Sequence, residues 1–323
     1  MYALRYHEPG GTDVLQYEEV ERPTPDHGEV LVEMRAASVN PIDALLREAR
    51  PPAPVKTTGS DLAGVVVAVG PTVEGYSEGD RVVATGLHTG RFTGGSFAEY
   101  ATVPTDLLAP LPEVVPFETG AAVALVGVTA WRAFVHHAGV EPGDTVLVHG
   151  GNGGVGHVAV QLARAMGATV ACTARPAYHE ALSELGADAV VDYTREDLVE
   201  AVRDAVGPVD VVLDHRPQEY IDRDIEVAAF GADLVFIADG EVTIADTLPA
   251  RGKELDMHWM SMSNLATHAE LPDIGPILER VVGLVADGDI EVHIDRSYPL
   301  ADGADAHRAV TEESFLGKLV VTL

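Results

Sequence analysis

Up to about residue 120, apolar and polar positions alternate in short runs, at Met1–Tyr6, Glu29–Ala36, Leu62–Val69 and Arg81–Ala84. Clusters of turn formers separate them: Pro9-Gly10-Gly11, Asp26-His27-Gly28 and Glu78-Gly79-Asp80. A period of two, broken this often, predicts half-buried strands in a barrel or sandwich. Near Phe117 the pattern changes. Glu118–His137 has few turn formers and many helix formers, which predicts one or two helices. After the turn Glu141-Pro142-Gly143-Asp144, unbroken apolar runs begin to alternate with helical stretches. The predicted strands are Thr145–His149, Thr169–Ala174, Ala189–Asp192, Val209–Asp214 and Asp233–Ala238. The helices between them are Val155–Met166, Tyr178–Leu185 (with Gly186 as its C-terminal cap) and Glu196–Ala205. Such alternation predicts a parallel, doubly wound sheet. The tail predicts helices Pro276–Asp287 and Ala301–Glu313 and strands Glu291–Asp295 and Leu319–Leu323, but its local pattern does not say which domain it joins.

Composition narrows the class. A length of 323 residues suggests two domains, and 46% apolar residues is too many for a disordered chain. No apolar run approaches the roughly 20 residues of a membrane helix; the longest candidate lies around Ala121–Val128. The N-terminus reads as a strand and lacks the apolar core of a signal peptide, so no membrane association and a cytoplasmic location are expected. Cys172, the one cysteine, reads as a small buried residue inside a strand, and a cysteine-rich zinc cage is impossible. The formal net charge is −30, with only Lys56, Lys253 and Lys318 as lysines. The acids are spread along the chain rather than gathered in a tail, which suggests a solvated shell suited to salt and a halophilic source. Nucleic acid is excluded as a partner, because phosphate binding needs clustered Lys and Arg.

The strongest local motif is Gly151-Asn152-Gly153-Gly154-Val155-Gly156. It fits G-x-G-x-x-G between a strand and a helix, the setting in which that motif binds a dinucleotide. The first glycine permits the tight turn, the second lets backbone approach a pyrophosphate, and the third lets the helix pack on the strand. The helix N-terminus then presents free N–H groups to the phosphates. At the end of the next strand, an enzyme using NAD places Asp or Glu on the ribose 2′-hydroxyl. Here that place holds Ala174 followed by Arg175. No carboxylate repels a 2′-phosphate and a guanidinium can clamp one, so NADPH is the expected cofactor. The alternative is that Arg175 is a plain surface residue.

With these residues in view, the chain resembles the quinone oxidoreductase branch of the medium-chain dehydrogenase/reductase family, the zeta-crystallin-like group. The resemblance runs through Val39-Asn40-Pro41-Ile42-Asp43, Gly59-Ser60-Asp61-Leu62-Ala63-Gly64, Gly79-Asp80-Arg81-Val82 and Gly95-Ser96-Phe97-Ala98-Glu99-Tyr100. It continues through Val148-His149-Gly150 with the glycine turn, Leu185-Gly186-Ala187-Asp188, Tyr298-Pro299-Leu300 and Gly317-Lys318-Leu319-Val320. It implies an α/β protein: a Rossmann doubly wound parallel sheet plus a GroES-like β-barrel domain. The implied division is residues 1–122 and 263–323 for the GroES-like catalytic domain and 123–262 for the Rossmann domain. It further implies a homodimer.

The resemblance also implies site residues. Asn40 and Thr129 would flank the nicotinamide and hydrogen-bond its amide or the acceptor oxygen, and Asp43 would shape the same pocket. Tyr193 would lie at the adenine end and Lys318 would reach the cofactor phosphates. Thr173, Ala174 and Ala238 complete the expected cofactor contacts. Each catalytic candidate has a structural alternative: Asn40 as a turn residue before Pro41, Thr129 bonding its own helix, and Asp43 as a helix cap. Zinc-dependent relatives carry cysteine and histidine at the positions of Asn40 and Ser60, and a hydroxyl at Ile42. This chain has none of them, so no metal and direct hydride transfer to a quinone or enone are expected. Two departures stand out. Leu45 replaces a tyrosine found in many members, and Asp214-His215-Arg216-Pro217 replaces the usual turn after the fourth Rossmann strand, so that His215 or Arg216 would contact cofactor or substrate, unless this is only an exposed loop. Two other functions fit the same residues: an enoyl-thioester reductase, and a non-catalytic NADPH-binding or sensor protein.

Overall fold

The computed structural model describes residues 1–49, 56–86, 94–238, 240–268, 271 and 273–323. Two compact units form. One comprises Met1–Val128, Met262–Gly288 and Val292–Leu323; the other comprises Thr129–Ser261 and Asp289–Glu291.

The second unit is built on a six-stranded, all-parallel sheet. Its strands in chain order are Thr145–Val148, Thr169–Thr173, Ala189–Val191, Val209–Asp214, Ala228–Phe236 and Asp256–Trp259. Numbered that way, their spatial order is 3-2-1-4-5-6, the doubly wound arrangement with its switch point between the first and fourth strands. Val146, Val148, Val170, Val211 and Val212 are almost wholly buried, as expected of strands covered on both faces. The sixth strand and the helix Pro217–Val227 were not expected from the pattern. In that helix Tyr220, Ile221, Asp224 and Ile225 face inward, so that Asp224 interrupts the apolar stripe, while Asp222 and Glu226 are exposed. Lys253 closes the C-terminal end by donating to the carbonyls of Ile225 (2.8 Å), Glu226 (2.6 Å) and Ala228 (2.7 Å).

The first unit centres on the long strand Glu29–Val39 in a seven-stranded sheet. Asp61–Val69 and Tyr100–Pro104 pair with it antiparallel, and so does the C-terminal strand Lys318–Thr322, with Leu319 opposite Val39. The tail is therefore woven into the same sheet as the N-terminal strands. Val32, Met34, Leu62, Val82, Phe97, Val103 and Leu319 form its core. A separate three-stranded sheet joins Leu15–Glu19, Tyr2–Tyr6 and Lys56–Thr57.

The helix Phe117–Trp131 continues as a π turn over Arg132–His137. Together they make 21 residues, long and apolar enough to cross a membrane, which corrects the expectation that no run comes near that length. Some 78% of the apolar window is buried within the protein, the pattern of a core helix.

Candidate functional site

At the C-terminal ends of the parallel strands, Gly150 leaves the sheet with φ +69°, a left-handed conformation suited to glycine. The turn is pinned to the neighbouring strand by two bonds: Gly150 N–H donates to Thr173 Oγ1 (3.1 Å) and Gly151 N–H to the Thr173 carbonyl (2.8 Å). The helix Gly154–Ala165 follows, with no side chain capping its N-terminus at Gly153. Its first N–H groups point along the helix axis without that usual partner, the condition for an anion site. The glycines differ in what demands them. A Cβ on Gly156 would lie 2.1 Å from the Gly150 carbonyl oxygen, so fold packing excludes it. A Cβ on Gly153 would meet only that same oxygen, at 3.3 Å. The protein leaves the space beside Gly153 nearly open, as a turn that admits a pyrophosphate must.

Thr173 and Ala174 are buried at the end of the second strand, and Arg175 follows as an exposed residue. Its Nε donates to the Tyr193 hydroxyl at 2.7 Å, so Arg175 and Tyr193 act as one element. Ala238 follows the fifth strand at the same end of the sheet. Cys172 is fully buried and its thiol is pushed up to about 12 by burial, which makes it unreactive.

Asn40, Asp43 and Lys318 come together in the first unit. Pro41 opens the helix Pro41–Ala49, and Asp43 reaches back to accept the Asn40 N–H at 2.9 Å. That is a capping-box bond, so Asp43 holds the helix start. Burial, and then the neighbouring Asp61, push its carboxyl up to about 7. Asn40 is 2% exposed, and its amide is engaged at both ends. Nδ2 donates to Asp61 Oδ2 (2.9 Å) and Ser60 Oγ (3.2 Å), while Oδ1 accepts from Lys318 Nζ (2.5 Å). Lys318 Nζ also donates to the Val39 carbonyl at 2.9 Å. Ser38 Oγ and Thr85 Oγ1 donate to the two oxygens of Asp61, at 2.5 and 2.6 Å. Burial lowers the Lys318 ammonium and raises the Asp61 carboxyl, each against the pull of the other's charge.

Two expectations change here. Lys318 does not project toward a phosphate: it is 3% exposed and spends its donors on Asn40 and Val39. Asn40 does not offer its amide to an acceptor oxygen, because Asp61 and Ser60 already receive it. Both follow from tertiary pairing of strands distant in sequence. Nor does a zinc ion fit this donor set. It holds the two buried carboxyl groups of Asp43 and Asp61 beside the Lys318 ammonium, and hydroxyl and amide donors already occupy both oxygens of Asp61. Among the described residues no group of three or more His, Cys, Asp or Glu side chains is placed to hold a metal ion. Thr129 is buried near the end of the helix Phe117–Trp131, and Leu45 is 56% exposed.

Sequence reasoning missed a third cluster, at the switch point of the parallel sheet. His149 Nε2 and Asp224 Oδ1 are 2.9 Å apart, and His149 Nδ1 and Thr173 Oγ1 are 3.2 Å apart. The His149 ring stacks on Tyr220, with centroids 4.5 Å apart. The available signal was a histidine ending an apolar strand and an aspartate four residues after Tyr220 on an inward helix face.

Models of known families match two stretches: an alcohol dehydrogenase GroES-like domain over residues 26–113 and a zinc-binding dehydrogenase over 185–321. A mouse protein called quinone oxidoreductase is 32% identical over 336 residues, covering all of this chain and 98% of its own. The structure of an Escherichia coli quinone oxidoreductase complexed with NADPH superposes with a TM-score of 0.88 at 27% identity, over the full length of both chains. An NAD-dependent alcohol dehydrogenase also superposes, with a TM-score of 0.87 at 31% identity over both full chains.

Proposed function

Because the chain belongs to the medium-chain dehydrogenase/reductase family, we propose that it reduces quinones or activated enones with NADPH, by direct hydride transfer and without a metal. The carrying observation is the glycine turn, where Gly153 leaves open space at an uncapped helix N-terminus. Arg175 and Tyr193 favour NADPH over NADH. A bound NADPH would supply the hydride. The protein's part is to hold the pyrophosphate on the turn, clamp the 2′-phosphate with Arg175, and exclude water from the reacting atoms.

The metal-free reading rests on the donor set around Asp61, where the fixed positive charge is the Lys318 ammonium. Alcohol oxidation needs a base or a metal to take the hydroxyl proton as hydride leaves. A quinone or enone needs less, since the charge it gains is delocalised and neutral donors such as the Thr129 hydroxyl can meet it, with water supplying the proton. Stopped-flow oxidation of bound NADPH by a panel of quinones, enones and enoyl thioesters tests the assignment. Small quinones and enones should react and simple alcohols should not reduce NADP. Reaction with thioesters alone makes the protein an enoyl-thioester reductase. No turnover with any acceptor makes it a binding or sensor protein.

Cofactor choice has its own test. Arg175→Ala removes the guanidinium that would clamp the 2′-phosphate, so NADPH should bind about tenfold more weakly while NADH changes little. Equal losses for both cofactors would reduce Arg175 to a surface residue.

A further inference from the structure

We infer that Thr173, His149 and Asp224 form a positioning relay for the glycine turn, locked at its far end by one proton held between Asp224 and Asp214. The inference rests on the reading of that turn as the dinucleotide site.

The hydrogen-bond directions follow from one fixed donor. The Gly150 N–H can only donate, so Thr173 Oγ1 accepts it, at 3.1 Å. The Thr173 hydroxyl hydrogen is then free for His149 Nδ1, 3.2 Å away. With Nδ1 accepting, the neutral ring carries its hydrogen on Nε2, which donates to Asp224 Oδ1 at 2.9 Å. Burial supports the neutral form, holding His149 down to about 4. The relay thus runs in one sense, from the first residue of the turn to a carboxyl on the helix Pro217–Val227.

The lock comes from the far side. Asp214 Oδ1 accepts the Arg216 N–H at 2.7 Å. That leaves Asp214 Oδ2 and Asp224 Oδ2, both buried and both without a partner. The two carboxyl groups stand within hydrogen-bonding reach of each other. A single proton on Asp224 Oδ2, donated to Asp214 Oδ2, satisfies both oxygens at once. Two ionised carboxylates there would leave both unsatisfied and would repel. Burial pushes both groups up, Asp214 to about 7 and Asp224 to about 8, and the pair titrates as a unit. The groups facing it are His149, just after the first strand, Thr173 at the end of the second, His215 and Arg216 from the loop after the fourth, and Glu219, Tyr220 and Arg223 from the helix.

The sign follows. The folded state holds a proton that an unfolded aspartate loses near pH ~3.9, so the pair's contribution to stability falls as pH rises through about 7 to 8. His149, depressed to about 4, acts oppositely, but only below its ordinary value near ~6.5. Above that the carboxyl pair acts without this opposition, and loss of its proton frees the relay and loosens the turn.

The test uses NADH, which lacks a titrating 2′-phosphate, in fluorescence titrations from about pH 6.5 to 9. The wild-type Kd should rise about tenfold across that range, or ~1.4 kcal/mol. Asp224→Asn still accepts from His149 and donates to Asp214 through its amide, so its profile should be flat. Asp224→Leu breaks the relay and should bind about tenfold more weakly throughout. If Asp224→Asn folds poorly, Asp214→Asn removes the same proton from the other side, and the infrared C=O stretch of a protonated carboxyl in the wild type should vanish as pH rises. A flat wild-type profile, or variants that keep the wild-type slope, overturns the relay. A wild type that binds neither NADH nor NADPH at any pH overturns the dinucleotide reading instead.

Discussion

Gly153→Ala should leave the fold standing and weaken NADPH binding about ten- to a hundredfold, whereas Gly156→Ala should damage the fold itself. Both are one-methyl insertions into the same turn, and they separate because of what each methyl meets. At Gly153 the backbone has φ −73° and ψ 173°, which alanine adopts without strain. The new Cβ would have one neighbour, the Gly150 carbonyl oxygen at 3.3 Å, and a shift of a few tenths of an ångström relieves it. The methyl then fills the space a pyrophosphate would approach, and overpacking of that kind costs about 1–3 kcal/mol. At Gly156 the Cβ would stand 2.1 Å from the Gly150 oxygen and 2.8 Å from the Gly151 Cα. Those are backbone atoms, so the helix and the turn must part. Melting temperature and NADPH fluorescence titration measured on both variants check the contrast. A Gly153→Ala protein that binds NADPH as the wild type does would remove the turn from the cofactor site.

Lys318→Met should cost about 3–5 kcal/mol, the range found when one partner of a buried ionic cluster is deleted. For a unit of this size that lowers Tm by very roughly 10 °C. The loss has two parts. Asn40 Oδ1 and the Val39 carbonyl lose their donor, and Asp61 loses the positive charge that opposes its desolvation. The double variant Lys318→Met, Asp61→Asn removes the carboxylate as well and should recover part of the stability, because no charge is then stranded. Had Lys318 served a cofactor phosphate, the substitution would instead leave Tm unchanged and weaken NADPH binding; that outcome would restore the expectation drawn from the resemblance. Chemical denaturation of the free protein distinguishes the two.

The sequence alone determined the alternation of strands and helices, the position of the glycine turn and the absence of a carboxylate at Ala174. These are local properties. A period of two or 3.6, or a glycine between a strand and a helix, is written in neighbouring residues. Gly156 is legible for the same reason, since its contact with Gly150 lies only six positions back. The helix Pro217–Val227 was not legible, because Asp224 sits in its inward stripe and reads as a surface acid until a partner is known.

What Asn40, Lys318, Asp224 and His149 do was decided by tertiary structure. Lys318 meets Asn40 across 278 positions, and His149 meets Asp224 across 75. A lysine or an aspartate costs several kcal/mol to bury alone, so sequence reasoning sends it to solvent or to a ligand. Inside the fold the strand Lys318–Thr322 lies against Glu29–Val39, and the switch point sets His149 beside the helix that carries Asp224. Only that pairing supplies the partners that let these groups remain buried.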